Sequence, residues 1–102
     1  MPEPLTQENW TQQLHEDFHV HVGDANPLMM KLMNVTGHSY PGEPARQSYS
    51  LLFCGPATPI LPQRTYRLAH AEIGEVDIFL VPVGKQKEGV SYEAVFNTVA
   101  EI

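Results

Sequence analysis

The 102-residue sequence contains a single cysteine, Cys54, so no intramolecular disulfide can brace the fold and burial must hold it together. Only six residues are basic against twelve acidic ones. The formal charge of −6 opposes contact with phosphate backbones and argues against nucleic acid as a partner. No stretch approaches the roughly 20 apolar residues of a membrane helix, and the start, MPEPLTQENW, lacks the basic and apolar segments of a signal peptide. A cytoplasmic protein without a membrane partner is expected, with non-classical export left open. The seven glycines stand singly at turns, so there is no loop to cradle a phosphate.

What is present is an ordinary globular composition, 42% hydrophobic and 9% aromatic, enough for one domain spanning residues 1–102 with one modest core. A short helix is expected over residues 6–15. Thr6 suits its N-cap, Leu5 can staple onto Trp10, and Leu14 extends the apolar stripe by one turn.

From residue 17 to about 98 the period becomes two. In DFHVHVG, Phe18, Val20 and Val22 alternate with Asp17, His19 and His21, as in a strand with one buried face. After a turn at DANP, LMMKLMNV reads as a second strand, bounded as it is by turn signals. TGHSYPGEPARQ, residues 36–47, holds two glycines and two prolines and predicts a long loop. SYSLLFCG resumes alternation, and PATPILPQ makes a rigid connection; its PxxP spacing also fits a polyproline II ligand.

Residues 64–97 then read as a three-stranded antiparallel meander with Tyr66, Leu68, Ile78, Leu80, Ala94 and Phe96 inside. Pairing Gly84 with Val90 sets Tyr92 against Pro82, Ala94 against Leu80 and Phe96 against Ile78. The fold class is mainly all-β: a six-stranded antiparallel meander closed into a small barrel or tight sandwich. Short strands bury their edges best in the barrel, with the helix across one end.

The motifs FxGP (Phe53, Gly55, Pro56), LPQxTYRLxH (Leu61 to His70), Gly74, FLVPxG (Phe79 to Gly84) and YEAxFN (Tyr92 to Asn97) resemble a small bacterial family of stand-alone domains of unknown function. The resemblance is firm over residues 48–97. It implies a bacterial accessory protein, some relatives lying beside phage-tail-like or secreted fibre genes, and it brings no catalytic residues. Cys54 departs from the pattern, where a larger polar residue is expected.

Candidate chemistry is sparse. His19 and His21, with His15 nearby, have a spacing some zinc sites use, yet the set is incomplete and the same residues suit a solvated strand face, so no metal or other cofactor is expected. His70 ends its strand, where it can bond the AEIG turn or serve as a base, alone or paired with Cys54. Glu93 has two readings: a carboxylate in an apolar pocket, or an ion pair with Arg64 or Arg67 on the adjacent strand. Tyr40 sits in the first long loop, where it can meet a partner or pack back.

The more informative feature is the second face of the final hairpin. Phe79, Val81, Val83 and Val95 are large apolar groups where a one-sided sheet shows polar ones, so they need cover from the Trp10 helix or from a partner. The expected function is a non-enzymatic protein-binding or assembly module, its partner another protein or a second copy. The alternative is a small β-barrel binding a ligand or metal, or an enzyme using His70 and Cys54. A six-stranded barrel is too narrow for an interior ligand, which favours the first.

Overall fold

A computed structural model describes residues 7–23, 26–39 and 46–99. It contains helix α1 (Gln7–Thr11) and six strands, β1 (Asp17–His21), β2 (Leu28–Ser39), β3 (Arg46–Gly55), β4 (Arg64–His70), β5 (Gly74–Gln86) and β6 (Gly89–Val99). All six neighbouring pairs are antiparallel and close into a barrel in the order β1-β2-β3-β6-β5-β4. The all-β small barrel read from the sequence is therefore the fold.

This order consists of two three-stranded meanders, β1-β2-β3 and β4-β5-β6, zipped together where β3 meets β6 and β1 meets β4. One consequence concerns the Pro-rich connection. Strands β3 and β4 lie three positions apart whichever way round the wall one counts, so residues 56–63 must cross the barrel mouth. In crossing, the segment drops Leu61 into the core, 3% exposed. Two tyrosines hold it: the Leu61 N–H donates to the Tyr92 hydroxyl at 2.9 Å, and the Tyr66 hydroxyl donates to the Pro62 carbonyl at 2.6 Å.

The N-terminal segment fills the other mouth. Helix α1 is shorter than the expected 6–15, and i→i+3 turns carry the chain on through Gln13 and Leu14. Five residues cannot persist as a helix in water, so packing decides. Trp10 is fully buried, its ring 5.8 Å from Phe18 and 6.1 Å from Phe96. Its Nε1–H meets no acceptor at full hydrogen-bond geometry, though the indole is near enough the Tyr49 hydroxyl to exert a lowering effect on its pKa. The tip of the Gln7 side chain lies over Gly37, in the space a Cβ would take. His15 then turns the chain with φ of 68°, a left-handed conformation unusual for a residue with a side chain, and its N–H donates to the Leu32 carbonyl at 2.7 Å. The Thr6 cap, the Leu5 staple and Tyr40 lie outside the described residues.

The core is made of the barrel's own side chains. Phe18, Val20, Met30, Leu32, Leu51, Phe53, Leu68, Ile78, Leu80, Val90 and Tyr92 are all buried. Five of the six residues expected inside the final meander are buried as well; Phe96 is only half-buried, stacked 5.0 Å from Tyr49.

Two expectations about register and loops are corrected. Residues 36–39 and 46–47 are strand, so β2 and β3 form one long ladder from Lys31↔Cys54 to Ser39↔Gln47, and residues 40–45 lie outside the described set. Backbone pairing with β3 overrides the glycine and histidine of TGHS. In the last hairpin, Tyr92 does face Pro82, but a bulge at Val83 sets Gly84 against Ser91 rather than Val90. Beyond Val81↔Glu93 the strands part, leaving Ala94 and Phe96 unpaired with Leu80 and Ile78, because β5 is drawn to β4 and β6 to β3.

Candidate functional site

The outer face of β1 carries Asp17, His19 and His21, all exposed, with His15 exposed at the preceding turn. Their strand neighbours are Lys31 and Met29 on β2 and Ala69 and Arg67 on β4. Among the described residues no three metal-ligating side chains come together.

His70 is held as a structural group. Its Nδ1 accepts from the backbone N–H of Glu72 at 3.0 Å and of Ile73 at 3.3 Å, which is the turn-bonding role read from the sequence. Accepting at Nδ1 places the ring proton on Nε2, which points to Glu16 Oε1 at 3.5 Å. One ring face stacks on Phe18, 4.5 Å away. Cys54 cannot reach it. The thiol is on β3 and the imidazole on β4, on opposite sides of the barrel, so the pair is ruled out by topology. Glu93 does not pair with Arg64 or Arg67, because β5 separates β6 from β4; Arg67 instead meets Asp77 at 3.1 Å across an exposed rung, which raises its pKa.

Cys54 lines a cleft that sequence reasoning did not find. About 550 Å³ in volume, it lies on the outer wall between the β2–β3 ladder, which supplies Lys31, Met33, Leu52 and Cys54, and the β5–β6 hairpin, which supplies Gln86, Glu88 and Ser91. Met33 alternates outward from the buried Leu32, at a bulge between Leu32 and Asn34. The hairpin tip is set by Gly89, whose φ is 155° and whose missing Cβ lets it press on the Gly55 carbonyl. No local pattern in the sequence signals that contact.

The apolar outer wall is the other candidate. Phe79 and Val83 on β5 are 50% and 52% exposed, and Val95 on β6 is 58% exposed, with Val81 half-buried between them. The helix leaves these residues uncovered, since Trp10 turns into the barrel mouth. Met29, Met33 and Ile60 are further exposed apolar residues away from this wall. A sheet packed on one side only would carry polar groups here.

Among the described residues no helix is long and apolar enough to cross a membrane. A family described as a domain of unknown function, DUF6916, matches residues 5–96, in agreement with the family resemblance drawn from the motifs. No curated protein and no solved structure matches the chain.

Proposed function

As the chain belongs to the DUF6916 family, whose description assigns no activity, we propose from its own surface that it is a non-enzymatic protein-binding or assembly module. Its working surface is the wall formed by Phe79, Val81, Val83 and Val95. The observation that carries this reading is the exposure of three large apolar side chains on adjoining strands of a barrel whose core is built from its own buried side chains. Two features support it further: both mouths are plugged, by Trp10 and Leu61, and His70 and Cys54 stand on opposite sides of the barrel. Such a module suits a bacterial accessory protein of a phage-tail-like or fibre assembly.

The test uses Phe79→Lys and Val83→Lys together, both at exposed positions and therefore compatible with folding. Wild type and double variant are immobilised and compared for saturable retention of a protein partner, itself included. Loss of that retention in a variant with unchanged circular dichroism supports the wall as the binding surface. Equal retention by both removes it.

The cleft beside Cys54 favours a second reading, small-molecule binding, because its volume lies in the range of ligand pockets. Leu52→Trp would fill it. A ligand found by thermal-shift screening that still stabilises this variant does not bind in the cleft.

A further inference from the structure

Building on the assembly reading, we propose that two copies of this chain join edge to edge along residues 94–99 of β6, making one continuous antiparallel sheet. On one side these residues pair with β3, from Ala94↔Leu51 to Val99↔Arg46. On the other side β5 follows only as far as Val81↔Glu93, and its first half, Gly74 to Leu80, is committed to β4. Among the described residues this edge of β6 therefore has no strand against it. Alternate residues of an antiparallel strand aim their N–H and C=O groups to each side, so the open edge presents a row of unpaired donors and acceptors. The group that satisfies them in order is another extended strand.

The residues along this edge decide whose strand that is. Natural edges guard themselves with lysine, inward charge or proline, and AVFNTV has none of these. About a two-fold axis a strand meets its own sequence running the other way, so a charge close to the axis would face its own copy. An uncharged edge escapes that penalty even on a chain whose net charge is −6. The opposing edge of β5 does not, because it carries Glu75 and Asp77. The remaining edge, along β2 beyond Lys31, is closed by the chain itself: Leu32 bonds to His15 and Glu16, and Gln7 sits over Gly37. The β6 edge also carries Val95, the most exposed of the large apolar side chains, which an added strand would shield.

Light scattering over a wide concentration range and residue-resolved amide exchange test this with three proteins: wild type, Val95→Lys and Val83→Lys. Lys at position 95 sits two residues from Glu93 on the same strand face, so the variant keeps its fold while guarding the edge. The expected results are a wild-type mass rising from 11.4 kDa toward twice that value, and alternate amides within 94–99 slowing about tenfold or more as the dimer forms. Val95→Lys stays monomeric and Val83→Lys still dimerises. A wild type monomeric at every concentration overturns the proposal. So does a dimer that leaves amides 94–99 unprotected and dissolves on Val83→Lys, though that result keeps the apolar wall as an assembly surface. Full protection of the edge already in the monomer also overturns it, since the chain would then be covering its own strand.

Discussion

Tyr92 accepts a hydrogen bond at 2.9 Å from the backbone N–H of Leu61, 31 residues earlier in the sequence, and so ties the segment that crosses the barrel mouth to the strand beneath it. The bond is buried. Tyr92→Phe keeps the ring and leaves the Leu61 N–H unpaired, which should cost about 1–3 kcal/mol in denaturant unfolding. A change near zero would mean that water replaces the hydroxyl and that the mouth is open.

At the other mouth, Trp10→Ala should cost about 3–5 kcal/mol, because a fully buried indole is removed from between Phe18 and Phe96. Phe96→Ala should cost less, about 3 kcal/mol or below, since Phe96 is half-buried. Urea melts of both variants give the order, and a reversed order would place the structural plug at Phe96.

His15→Gly should raise stability by roughly 1 kcal/mol, for glycine adopts the left-handed turn between α1 and β1 without the Cβ strain that His15 bears at φ of 68°. Thermal melting with and without a chelator makes this informative twice over. A chelator that lowers the melting temperature of wild type but leaves that of the variant unchanged would instead assign His15 a ligand role.

Gly89→Ala should be among the most damaging single-methyl changes. It combines a φ of 155° with a collision against the Gly55 carbonyl, so the β5–β6 hairpin must shift or open. Gly84→Ala is the control, since a Cβ at Gly84 meets open space. Equal denaturation midpoints for the two would show that the hairpin tip does not rest on β3.

Alkaline pH should unfold the protein through its tyrosines. Burial raises the pKa of Tyr49, outweighing the lowering effect of the Trp10 indole, and burial likewise raises Tyr66, with Arg64 opposing and Tyr92 adding to the rise. A raised folded-state value means that both favour folding fully below the ordinary tyrosine pKa of about 10 and lose that contribution as pH climbs through the folded values. Ionising Tyr66 also removes the proton it donates to Pro62. Stability measured from pH 8 to 12 should be flat and then fall. Replacing both residues with Phe should flatten the fall, and an unchanged slope would assign the alkaline loss to other groups.

The sequence alone determined the parts of this protein that depend on local period. Alternation in DFHVHVG placed Phe18 and Val20 inside and both histidines outside, and the same rule assigned Tyr66, Leu68, Ile78 and Leu80 to the core, because successive side chains on a strand must point to opposite faces. Strand count and antiparallel pairing followed from short connections, and the position of His70 at a strand end sufficed to give it the turn. Tertiary structure alone decided where strands stop and what they touch. TGHS reads as loop but is held in β2 by its pairing with Gln47 to Ser50 of β3. Phe96 follows the inward alternation yet ends half-buried, because closing a six-stranded wall pulls β5 toward β4 and β6 toward β3. The same closure sets β3 opposite β4, which separates Cys54 from His70, sends Leu61 across the mouth and, among the described residues, leaves the edge of β6 beyond Glu93 without a strand. Side-chain alternation is a property of neighbouring residues, whereas closure is a condition on all six strands at once.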